Sequence, residues 1–88
     1  MFKDKYYLWI GDNNPSNHWL AWQISEDVIR IYKYREDPPY WDMGHRYIAH
    51  SQRYVPISKE ELLLAIVGGP ETCKELRNKY LTKDQDEV

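Results

Sequence analysis

Between Ile57 and Gly69 the chain is bounded more sharply than anywhere else. Ser58 with Glu61 three residues on forms a capping box. The serine hydroxyl accepts from the amide of Glu61, and the Glu61 carboxylate accepts from the amide of Ser58. Two otherwise orphaned donors of a helix start are thereby satisfied. Ile57 and Leu62 occupy the hydrophobic-staple positions around the box, and Gly68-Gly69 supplies a stop. A helix over Lys59–Val67 follows. Its apolar side is wide, so it is expected to be largely buried. Pro70 suits the first position of a second helix, and Glu71 complements the dipole of its first turn. Cys73, Leu76 and Tyr80 recur at i, i+3 and i+7 as a narrow apolar stripe, and Glu75 and Lys79 form an i, i+4 pair. The terminal TKDQDEV, residues 82–88, has nothing to bury and reads as a frayed acidic tail.

Upstream of that box the governing period is two. KYYLWIG (Lys5–Gly11) is short and dense in aromatic and branched residues, with Tyr6, Leu8 and Ile10 on one face and Tyr7 and Trp9 on the other. DNNPSN (Asp12–Asn17) is a turn by composition. HWLAWQIS (His18–Ser25) alternates again. VIRIYKYR (Val28–Arg35) places Ile29 and Ile31 opposite Val28, Arg30, Tyr32 and Tyr34. Ser25 could instead cap a helix through Val28, Ile31, Tyr32 and Arg35, but the crowding of β-branched and aromatic residues favours a strand. Pro38-Pro39 and Gly44 mark Glu36–Gly44 as a loop, and HRYIAHSQRYVPI (His45–Ile57) reads as a bulged strand ended near Pro56. The expected architecture is α+β: an antiparallel sheet of three to four strands followed by two short C-terminal helices, in a single domain over residues 1–81.

Eighty-eight residues allow one modest core. No apolar run is long enough to span a membrane. MFKDKYYLWIG lacks the apolar length and small-residue cleavage site of a signal peptide. The single cysteine, Cys73, excludes an internal disulfide and a four-thiolate zinc site, which points to a cytoplasmic setting and to a core role for the thiol. The net charge of −2 conceals a mildly basic centre: residues 28–55 carry five Lys/Arg against three Asp/Glu, between acidic ends.

Chemistry-bearing constellations are sparse. His45 and His50 are five apart, on opposite faces of a strand, so no metal site and no cofactor are expected. Cys73, His45 and Asp42 make a nucleophile–base–acid set only on paper. His50, Arg46 and Tyr54 share a strand face by parity and could handle a phosphodiester, as in a small metal-free ribonuclease, although a pI of about 5.9 suits a polyanionic substrate poorly. Arg30, Tyr32 and Tyr34, with His50 and Tyr54, offer an aromatic-basic sheet face for RNA or a nucleotide.

The preferred reading rests on aromatic surplus. Four Trp, eight Tyr and one Phe are many rings for so small an interior. The proline-stiffened loop carries Tyr40 and Trp41, residue types that dominate interface hot spots, with Arg46 close by. These point to a non-enzymatic protein-binding module: an inhibitor or adaptor, comparable in size to immunity proteins and to phage- or plasmid-borne blockers of host proteins, acting by steric occlusion. Another protein is the expected partner, and a homodimer through an edge strand would hide the surplus rings equally well.

Overall fold

The computed structural model describes residues 2–12 and 17–86. Five strands and two helices follow in order: β1 (Lys5–Trp9), β2 (Leu20–Gln23), β3 (Ile29–Lys33), β4 (Tyr40–Met43), β5 (Tyr54–Ile57), α1 (Lys59–Gly68) and α2 (Pro70–Asp86). The strands form one antiparallel sheet in the order β4-β3-β2-β1-β5. The class is α+β as expected, with one strand more than the upper expectation. Of the DNNPSN turn, residues 13–16 lie outside the described residues.

Two segments differ from the sequence reading. Tyr40–Met43 is a strand, not part of a loop. Pro38 and Pro39 stop short of it, and an edge strand tolerates prolines at its start because no ladder donor is lost there. Cross-strand pairing of Trp41 with Tyr32 supplies packing for the indole. His45–Ser51 is not a strand. Arg46–His50 forms a 3-10 turn, with His45 Nδ1 accepting from the Tyr47 amide at 3.3 Å and the Ile48 amide donating to the His45 carbonyl at 3.0 Å. The adjacent apolar pair Ile48-Ala49 breaks the period of two. A turn lets both residues face the sheet, where they pack on Tyr7, Ala21, Ile29 and Ile31. This segment carries the chain from the β4 edge to the opposite edge, where β5 pairs with β1.

Strand parity divides the core in two. Leu8, Leu20 and Ile57 face the helices and close a core with Leu62, Ala65 and Cys73. Tyr7, Ala21, Ile29 and Ile31 form the opposite layer. The buried Gln23 side chain in that layer accepts a hydrogen bond from Tyr7 Oη at 2.9 Å.

The helix start forms as the sequence predicts. Glu61 N donates to Ser58 Oγ at 3.1 Å and Ser58 N donates to Glu61 Oε1 at 3.1 Å. The same carboxylate then joins the two helices, accepting from Tyr80 Oη at 2.7 Å and pairing with Lys79 Nζ at 3.3 Å. Lys79 thus serves Glu61 rather than the expected Glu75. Cys73, Leu76 and Tyr80 all pack on the core, as their spacing predicts. The α2 backbone continues to Asp86, into the segment read as a tail.

Candidate interaction surface

The surplus of rings is absorbed within the fold. An aromatic row crosses the helix-facing side of the sheet. Tyr6 stacks on Trp22, Trp22 meets Trp41 edge-on at 5.5 Å, and Trp41 lies 5.0 Å from Tyr32, which meets Tyr34 at 4.8 Å. No tryptophan is exposed, and among the rings only Tyr40 and Tyr47 are. The premise that so compact an interior cannot hold these rings is therefore corrected. Most are half-buried and satisfy one another across strands.

The residues expected to anchor a partner do not converge. Tyr40 is 48% exposed, but Trp41, its neighbour in β4, points to the opposite side of the sheet and is half-buried against Trp22 and Tyr32. Arg46 begins the 3-10 turn and shares a hollow with Glu26, Asp27, Tyr47 and His50.

The expected nucleic-acid face is also divided. Arg30, Tyr32 and Tyr34 share the helix-facing side, where the helices cover Tyr34: its hydroxyl donates to the Ala65 carbonyl and lies 3.3 Å from Cys73 Sγ. Burial, aided by the thiol, raises the Tyr34 pKa. His50 ends the 3-10 turn, and Tyr54 lies on the other face of the sheet with its hydroxyl donating to the His18 carbonyl at 2.9 Å. Burial pushes Tyr54 up to about 12. Arg46 and His50 are therefore neighbours, whereas Tyr54 stands apart with its proton already committed, and the parity that grouped the three is lost with the strand. The Cys73–His45–Asp42 set is divided too. Cys73 of α2 is fully buried in the core, and burial raises its thiol to about 11 although the bond to Tyr34 works the other way. A thiol so placed stays protonated at neutral pH and is a poor nucleophile.

The residues that stand out were not singled out in the sequence. Only Leu62 and Ala65 of α1 are buried. Leu63, Leu64 and Val67 are 50%, 63% and 88% exposed. Positions 63, 64 and 67 share one side of a helix, so this is a continuous apolar stripe. Leu63 also lines a groove of about 260 Å³ between α1 and the sheet, walled by Tyr6, Trp22, Trp41, Leu62 and Ile66. Trp22 is fixed in that wall by its indole N–H, which donates to Asp4 Oδ2 at 3.0 Å. The signal was present in LLLAIV itself. Six consecutive apolar residues wrap a full helical circumference, and a helix resting on one sheet can bury only part of it.

Among the described residues no group of three or more His, Cys, Asp or Glu side chains could hold a metal ion, and no helix is long and apolar enough to cross a membrane. No protein-family model, no curated protein and no solved structure matches the chain.

Proposed function

We propose that the protein is a non-enzymatic binding module that docks another protein on the outer side of α1. The observation that supports this reading is the Leu63–Leu64–Val67 stripe beside the Trp22–Trp41 groove. Large aliphatic side chains left in water on a capped, well-supported helix are costly to keep there, and a partner surface removes that cost. The groove offers a pocket into which a partner's side chain can insert, with Trp22 and Trp41 as rigid walls. Asp4 and Lys59 at its margin supply a polar rim. The role that fits such a surface is steric occlusion by an inhibitor or adaptor.

The experiment is capture of partners by wild-type protein and by two variants. Leu64→Asp/Val67→Asp places charge in the stripe, and Tyr40→Ala removes the exposed ring on the far side of the sheet. The reading predicts loss of a specific partner in the first variant and retention in the second, with both variants folded. Equal recovery by all three proteins would remove α1 as the docking element.

A further inference from the structure

A second hollow lies on the opposite side of the sheet. The 3-10 turn covers only part of that face, and beside it opens a cleft of about 650 Å³. That volume falls in the range of small-molecule sites. Ile31 of β3 lies in its apolar lining and Ile48 of the 3-10 turn stands over it. Trp9 and Tyr54 contribute aromatic wall, their rings edge-to-face at 5.3 Å.

The polar groups around this apolar interior are all of one kind. Lys33, His18 and His45 line the cleft, and among the described residues no carboxylate does. Lys33 makes no ion pair among the described residues. His45 accepts the Tyr47 amide through Nδ1, so the neutral ring carries its proton on Nε2 and remains a donor there. The Tyr54 hydroxyl is committed to the His18 carbonyl, which steadies the aromatic wall. The Trp9 indole lends the cleft its ring face, while its N–H is shielded from solvent. Donors and a cation around an apolar, ring-lined interior complement one ligand chemistry: a flat apolar body bearing an anionic group.

We infer that the cleft between β3 and the 3-10 turn binds a small aromatic anion, its ring against Trp9 and Tyr54 and its carboxylate, sulfonate or phosphate at Lys33. This site is on the other side of the sheet from α1 and stands independently of the docking proposed there. Lys33 supplies the positive charge of the cleft in a chain of net charge −2.

The test uses 8-anilinonaphthalene-1-sulfonate and its uncharged counterpart N-phenyl-1-naphthylamine. Both are titrated into the Leu64→Asp/Val67→Asp protein, so that the α1 stripe does not compete for the dye. The four indole N–H cross-peaks report location: Trp9 lines the cleft, whereas Trp22 and Trp41 line the groove by α1. Saturable sulfonate binding should move the Trp9 signal and leave those of Trp22 and Trp41 in place. Lys33→Ala should weaken sulfonate binding by about tenfold, the scale of one charge-assisted contact, and leave binding of the amine unchanged. Movement of the Trp22 and Trp41 signals alone, absence of saturable binding, or equal sulfonate affinity of the Leu64→Asp/Val67→Asp protein with and without Lys33→Ala would each overturn the inference. So would inorganic phosphate binding as tightly as the sulfonate, since the ring would then contribute nothing.

Discussion

Glu61 does three jobs with one carboxylate. It closes the capping box with Ser58, accepts from Tyr80 and pairs with Lys79. Burial works to raise its pKa, but the bonds from Tyr80, Ser58 and Lys79 outweigh it and hold the group below its ordinary value of 4.5. A carboxylate depressed in the folded state stabilises the fold fully above its unfolded pKa. That contribution is lost as pH falls through the lower native value. Glu61→Gln preserves a capping-box side chain but not the charge. The urea midpoints of wild type and this variant, followed from about pH 6 to about pH 3, should therefore converge as the pH falls; a constant gap would show that the charge is immaterial. Tyr34→Phe should cost only about 1 kcal/mol in the same assay, because the Ala65 carbonyl keeps its bond from the Gly69 amide at 2.9 Å. The box itself was legible in the sequence, being local and spaced by rule. The bonds of Glu61 to Tyr80 and Lys79 were not, since they exist only once α2 folds back on α1.

At the scale of elements, the turn between the helices depends on two glycines for different reasons. Gly69 has φ of +77°, a conformation that side-chain-bearing residues adopt at a cost of about 1–3 kcal/mol. A Cβ on Gly68 would meet Thr72 at both Oγ1 and Cβ; rotation of the threonine relieves the first, but the second, 2.8 Å away, requires the backbone to shift. Gly69→Ala and Gly68→Ala should therefore each lower thermal stability, the first through its backbone conformation and the second through the clash with Thr72; an unchanged midpoint in calorimetry for either variant would contradict the geometry. The strands β1, β2 and β3 could be read from alternation, because each carries a face toward one of two apolar layers. β4 could not, because four residues behind two prolines look like a loop until Tyr32 is placed beside Trp41. Nor could the 3-10 turn, whose role is to cross the sheet between its two edges. For α1 the boundaries were legible and the burial was not. Apolar periodicity tells how much of a helix can be buried, but only the number of neighbouring layers tells how much is, and α1 has one sheet beneath it. Leu62→Ala should cost about 2–5 kcal/mol in chemical denaturation, whereas Leu64→Asp, two positions on, should stay within about 0.5 kcal/mol of wild type.

In the whole molecule the two faces of the sheet are finished differently. One is closed by α1 and α2 over an aromatic row, leaving the aliphatic stripe on the outside of α1. The other is closed only in part by a 3-10 turn, leaving a ring-lined cleft with Lys33 at its edge. The sequence carried the ingredients of both surfaces. The first went unread because thirteen rings drew attention from three aliphatic residues. The second went unread because Trp9, Lys33 and Tyr54 belong to three strands that only the order β4-β3-β2-β1-β5 relates.

The proposal that α1 is a docking surface is tested most directly by photo-crosslinking inside the cell of origin. p-Benzoylphenylalanine is placed at position 64, at position 67 and, as a control, at position 40. Docking on α1 predicts one discrete adduct from positions 64 and 67 and none from position 40, with a mass of twice the chain identifying the partner as a second copy. No adduct from either α1 position, or the same adduct from position 40, would contradict it.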